Sequence, residues 1–156
     1  MTQTPIRIRQ IQPGEGLRAV EIWRRAVEAT HHFLGPGDIE MLDPKVRDYL
    51  ADVPLWVAVD PDDRPIAFMG LSENHLDSLF IDPAWHGVGV GRALIDHALA
   101  LNSTLTTEVN EQNVTAMAFY TRMGFVAFKR TPMDEQGLPF PLVYLRHQKS
   151  DEKKNS

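Results

Sequence analysis

The chain has 156 residues and a formal net charge of −5, with 43% hydrophobic and 24% charged residues. That length can bury a core unaided, and the composition is that of a globular protein. With no cysteine, disulfides, zinc–thiolate sites and a cysteine nucleophile are excluded. The acidic balance disfavours nucleic acid and suits a cationic partner such as an amine, although it serves solubility equally well. The first residues lack the apolar run of a signal peptide, and no stretch is long and apolar enough to span a bilayer, so a cytoplasmic protein without a membrane partner is expected.

Pro5 to Gln12 alternates Ile6 and Ile8 with polar residues and reads as a strand. After Pro13-Gly14, the spacing of Leu17, Val20, Trp23, Val27 and Thr30 predicts a helix with one apolar face. A second helix is expected over Asp38 to Leu50. Leu55 to Val59 and Ile66 to Leu71 form a hairpin around the turn-forming run Asp60 to Arg64. A strand from His75 to Ile81 ends at Asp82-Pro83. Gly87, Gly89 and Gly91 then open a helix reaching Leu101, with Val90, Leu94, Ile95, Ala98 and Leu101 as its apolar face. A strand over Leu105 to Val109 leads through Asn110-Glu111-Gln112-Asn113 to a helix over Val114 to Met123. Gly124 suits the position just past that helix. Phe125 to Arg130 and Leu142 to Arg146 are the last two strands, and the polar segment Gln148 to Ser156 reads as a disordered tail. The run of three strands predicts an antiparallel meander, and the later strand–helix–strand segments add parallel pairing. The expected fold is α/β in the α+β sense, a mixed, mostly antiparallel central sheet flanked by helices, forming one domain over residues 1–147.

The glycine loop carries the chemistry. Glycine lets backbone amides approach a ligand without a Cβ in the way, and a helix start adds free N–H groups and the positive end of its dipole. Together these bind phosphate or pyrophosphate, although three alternating glycines can also make only a tight turn. No Gly-x-x-x-x-Gly-Lys run exists. Gly-x-Gly-x-x-Gly fails as well, its last position being Arg92 or Leu94. Spacing therefore disfavours ATP and nicotinamide cofactors.

His86-Gly87-Val88-Gly89-Val90-Gly91, with Leu79 to Trp85 before it and Arg92-Ala93-Leu94 after it, resembles the pyrophosphate-binding motif of the GNAT superfamily of acyl-CoA N-acyltransferases. So does Asn110 to Asn113 followed by Ala116, Phe119-Tyr120 and Gly124-Phe125. Ala29-Thr30-His31 and Leu55 to Val59 are similar to bacterial YjaB-type members. The resemblance covers roughly residues 5 to 147 and departs at His86, where the family has Gln or Arg; His donates a hydrogen bond but lacks the permanent charge of Arg.

The resemblance implies an N-acetyltransferase that moves an acetyl group from acetyl-CoA (coenzyme A) to a primary amine by direct attack on the thioester. The acceptor would be a small molecule, a peptide or a protein lysine, and no metal is needed. A non-catalytic acyl-CoA sensor is the alternative. It also implies that backbone groups of Leu79, Phe80 and Ile81 pair with the pantetheine arm, and that His86 to Arg92 hold the pyrophosphate. Asn113, Ala116, Phe119 and Tyr120 complete the cofactor set. Asn113, Ala116 and Tyr120 share a helix face, and Asn113 can cap that helix. Tyr120 is the candidate general acid, although it can also be a packed aromatic. An ordinary phenol, with a pKa of about 10, protonates a thiolate of about 8.5 at modest cost. His75 and Asp77, two apart on a strand, are the candidate bases, acting directly or through water; a solvated strand face reads equally well. His31, His32 and Phe33 lie where the family forms its acceptor pocket. The chain is expected to act as a monomer or homodimer.

Overall fold

A computed structural model describes residues 6–30, 37–52, 54–133, 137 and 139–148. The elements in chain order are β1 (Arg7–Gln10), α1 (Gly16–Thr30), α2 (Asp38–Asp52), β2 (Leu55–Val59), β3 (Pro65–Ser72) and β4 (His75–Ile81). A 3-10 turn at Pro83–Trp85 follows, then α3 (Val90–Leu101), β5 (Thr104–Asn110), α4 (Val114–Arg122), β6 (Val126–Thr131) and β7 (Leu142–Gln148). The strands order as β1-β2-β3-β4-β5-β7-β6. This is the mixed, mostly antiparallel sheet with helices expected from the sequence. β4 and β5 run parallel, with His75 opposite Thr106 and Leu76 opposite Thr107, because α3 carries the chain between them. β1–β2, β2–β3, β5–β7 and β6–β7 are antiparallel.

The chain divides into two compact units, residues up to 71 with 77–94, and residues 72–76 with those from 95 onward. In the first, Ala19, Val20, Ile22, Trp23 and Val27 of α1 pack with Leu50 of α2, with Leu55, Val57 and Val59 of β2 and with Phe68 of β3. The apolar stripe of α1 differs from the expected one. Leu17 is 75% exposed, while Ala19, Ile22 and Ala26 are buried. At about 100° per residue, two steps of three carry Leu17 about 120° round the helix from Trp23 and off the packed face. Leu101, at the end of α3, is likewise half exposed, whereas Val90, Leu94, Ile95 and Ala98 are buried as expected.

In the second unit β5 alternates cleanly: Leu105, Thr107 and Val109 are buried, and their neighbours are partly exposed. Rings run from Phe119 through Tyr120 and Phe125 to His147, with successive centroids 5.0, 5.1 and 5.2 Å apart in edge-on contact. Gly124 ends α4 with φ +99°, and its amide donates to Thr121 O at 3.0 Å. A Cβ there would come 3.0 Å from His147 Nε2. We therefore expect Gly124→Ala to destabilise the protein by about 2 kcal/mol, from left-handed strain plus displacement of His147. Thermal unfolding should show a melting temperature lower by roughly 4–8 °C.

Candidate functional site

Two sets of residues carry the candidate chemistry, one in each unit.

The first set begins where β4 leaves its partner. Among the described residues the ladder with β5 stops at Leu76, while β4 continues to Ile81. Leu79, Phe80 and Ile81 are half-buried. The Phe80 ring packs on Phe68, with centroids 5.6 Å apart, against the first unit's core. Asp77 is exposed on the same strand.

Asp82 ends β4 and is 4% exposed. Its side chain accepts from the Ala84 amide at 3.0 Å, capping the 3-10 turn. It also accepts from Arg18 at 3.0 Å and pairs with Arg25 at 3.0 Å. Burial alone pushes its carboxyl pKa up, but the Ala84 amide, Arg25 and Arg18 more than reverse this and hold it below the usual carboxylate range. Thus α1 fastens the turn that launches the glycine loop.

In the loop, Gly87 has φ +80° and Gly89 φ +90°, conformations that favour glycine, and a Cβ built on either meets no heavy atom within 4 Å. Gly87, Val88 and Gly89 are exposed. The Ala93 amide donates to Gly89 O at 3.0 Å and closes the first turn of α3, so the amides ahead of it face out of the helix start. Val90 is 1% exposed and offers only its backbone, while Arg92 is exposed. His86 is exposed, and its amide closes the 3-10 turn onto Pro83 O at 3.2 Å. This open, glycine-walled cradle at the start of a twelve-residue helix fits a pyrophosphate.

The second set is built on β5 and α4. The Asn113 side chain caps α4 by accepting from the Ala116 amide at 3.1 Å, as the spacing predicts. A bidentate pair from Arg130 to Glu111, at 2.7 and 2.9 Å, fastens the turn ahead of it. Tyr120 is 7% exposed among the aromatic rings, near the Thr107 hydroxyl of β5. Burial raises its pKa well above the ordinary phenol value, so the phenol holds its proton across the neutral range and is a weaker acid than its residue type alone implies. His75 is held on both sides, Nδ1 2.7 Å from Thr106 Oγ1 and Nε2 3.3 Å from Glu108 Oε1. Both ring nitrogens are therefore engaged by residues of β5. His75 lies in the second unit and Asp77 in the first. His31, His32 and Phe33 lie outside the described residues.

Four contributors escape a reading of the sequence. Asp82 had a signal, an acid just before proline at a helix start. Thr107 had one too, as a polar residue at a core position of an alternating strand. Arg18 and Glu108 became visible only through the tertiary pairing of α1 with Asp82 and of β5 with β4.

A mixed sheet whose strand hands over to a glycine loop at a helix start defines the class, an α+β fold built around a pyrophosphate-bearing donor. The family described as "Acetyltransferase (GNAT) domain" matches residues 43–141. The peptidyl-lysine N-acetyltransferases YjaB of Salmonella typhimurium and Escherichia coli are each 47% identical to the chain, over 140 and 142 residues. These stretches span 90% and 91% of this chain and 97% of either relative. The solution structure of apo YjaB from Escherichia coli superposes with a TM-score of 0.88 at 46% identity, covering 92% of this chain and 98% of that one. The chain belongs to the GNAT acetyltransferase family. It is an N-acetyltransferase, and its acetyl donor is acetyl-CoA. Among the described residues no helix is long and apolar enough to cross a membrane, and no group of three or more His, Asp or Glu could hold a metal ion.

Proposed function

We propose that residues 1–147 act as one acetyltransferase domain that acetylates the Nε of lysine in peptides or proteins. The observation that carries this reading is the 47% identity, over nearly the whole of both chains, to two relatives named peptidyl-lysine N-acetyltransferases. Acetyl-CoA supplies an activated thioester carbonyl. The backbone amides from Gly87 to Gly91 and the Arg92 guanidinium bind its pyrophosphate, with His86 adding a donor where the family has Gln or Arg. Backbone groups of Leu79, Phe80 and Ile81 align the pantetheine arm and polarise the carbonyl. Asn113, Ala116 and Phe119 frame the donor beside Tyr120. The Tyr120 phenol gives its proton to the departing thiolate.

Of the two candidate bases, the exposed Asp77 carboxylate is the better placed to take the amine proton, directly or through water, because His75 already has both nitrogens engaged. His31, His32 and Phe33 contact the acceptor. A competition assay tests the acceptor class. An N-terminally blocked lysine peptide, a free-N-terminus peptide lacking lysine, and a small polyamine are offered together with acetyl-CoA. Preferred acetylation of the blocked lysine peptide is expected. A higher kcat/KM for the polyamine or for the α-amine would refute the lysine assignment.

A further inference from the structure

Among the described residues the ladder from β4 to β5 ends at Leu76, and the residues that follow are fastened on the side of β3 and α2. Ser78 is half-buried. Its Oγ accepts from the Gly70 amide of β3 at 3.1 Å and lies 3.1 Å from the Tyr49 phenol oxygen of α2. A side-chain hydroxyl thus receives an amide of the neighbouring strand, and the Tyr49 ring, packed against the first unit's core, reaches over to it. A Cβ at Gly70 would overlap the Tyr49 oxygen and stand 2.8 Å from Ser78 Oγ, so the two hydroxyls meet here because position 70 is glycine. Burial raises the Tyr49 pKa above the ordinary phenol value, by more than the Ser78 hydrogen bond lowers it, and the phenol keeps its proton at neutral pH. Phe80, two residues after Ser78 and so on the same face of the strand, packs on Phe68. Leu79 lies between these two anchors.

We propose that Ser78 and Tyr49 are positioning residues for acetyl transfer, their paired hydroxyls fixing the Leu79 peptide in line with the thioester carbonyl. This rests on the reading that backbone groups of Leu79, Phe80 and Ile81 hold the pantetheine arm and polarise that carbonyl. A backbone donor stabilises a developing oxyanion only while it stays aimed at it, and small misplacements at a reacting centre are costly. Phe80 holds the chain on one side of Leu79, and Ser78 holds it on the other. Without the Ser78 hydroxyl the Gly70 amide loses its acceptor, Tyr49 loses its partner, and the Leu79 peptide is tethered at one end. The turn that launches the glycine loop keeps its own anchor at Asp82, so the grip on the donor's phosphates is unaffected.

A double-mutant cycle with an NMR readout tests this. Ser78→Ala removes the shared hydroxyl, Ser78→Thr keeps it, and Tyr49→Phe removes the phenol oxygen while leaving the ring. In Ser78→Ala, with active sites counted by CoA titration, kcat at saturating acetyl-CoA and lysine peptide should fall about tenfold. The affinity for CoA, which lacks the acetyl group, should stay within about twofold of wild type, and Ser78→Thr should restore most of kcat. Tyr49→Phe should lower kcat about threefold, and the double variant should be no slower than Ser78→Ala, because Tyr49 acts through Ser78. On addition of acetyl-CoA the Leu79 amide signal should shift in wild type and shift less in Ser78→Ala. If alanine prevents folding, Ser78→Cys, whose thiol is a weak donor and acceptor, takes its place. An unchanged kcat in Ser78→Ala, a threonine variant as slow as the alanine one, or losses that multiply in the double variant would overturn the positioning role while leaving the donor site in place. A Leu79 amide unmoved by saturating acetyl-CoA in wild type would instead remove the reading of the donor site, and this proposal with it.

Discussion

Replacing Asp82 by alanine should destabilise the protein by about 3 kcal/mol, the scale of breaking a buried ion pair, and lower its melting temperature by roughly 6–12 °C. The carboxylate is buried and holds three partners, the Ala84 amide, Arg18 and Arg25. Its loss uncaps the 3-10 turn and leaves Arg18, whose side chain is only 14% exposed, without a buried counter-charge. Asp82→Asn, which can still accept hydrogen bonds, should cost less. The effect depends on pH. The folded carboxyl sits below its ordinary pKa, so its contribution is complete above the unfolded value of about 3.9 and is lost as pH falls through the folded value. Denaturant titrations from neutral pH into acid should show the gap between wild type and Asp82→Ala closing below about pH 4. A gap that stays constant into strong acid would show that charge at Asp82 does not stabilise the fold. Because the same turn launches the glycine loop, the KM for acetyl-CoA should rise in Asp82→Ala as well.

Tyr120→Phe should lower kcat about a hundredfold, the lower end of what one positioned proton donor supplies, with little change in the KM for acetyl-CoA. The ring stays in place, since its edge-on contacts with Phe119 and Phe125 do not involve the oxygen. For an ordinary phenol, protonating a thiolate costs about 2 kcal/mol from the pKa difference. Burial raises that cost, and so demands a well-aligned partner for the phenolate. An unchanged kcat, measured with saturating acetyl-CoA and lysine peptide, would rule out Tyr120 as the acid.

How far the sequence discloses this protein depends on whether a feature is local. The bounds of β2 and β4 follow from short β-branched and aromatic runs closed by turn residues, Asp60-Pro61 and Asp82-Pro83, and the structure keeps them unaltered. The glycine loop and the Asn113 cap are equally local, because each depends on what a residue type does to its own backbone. Gly124, with its positive φ, is another case. The packed face of α1 was less legible. Spacing by three drifts round a helix, and only the position of the sheet decides which flank is covered, so Leu17 falls outside. The partners of the candidate residues were the least legible. Glu108 beside His75 and Arg18 beside Asp82 are separated by 33 and 64 positions, and they meet only through strand pairing and helix docking. The same pairing alters the chemistry. His75 reads as a base on its strand, yet Thr106 and Glu108 take both of its nitrogens. The family is legible in the sequence because its two glycine- and asparagine-centred motifs are short, local and spaced as one unit.

Calorimetric titration of wild type and Gly89→Ala with acetyl-CoA, with NADH as control, decides whether the glycine loop is the acetyl-CoA site. Wild type should bind acetyl-CoA saturably and leave NADH unbound. Gly89→Ala should stay folded but bind at least about tenfold more weakly, a loss of about 1.4 kcal/mol, because its methyl group projects into the open cradle and a φ of +90° strains any residue with a Cβ. Equal affinity in the two proteins, or no binding by wild type, would contradict the assignment.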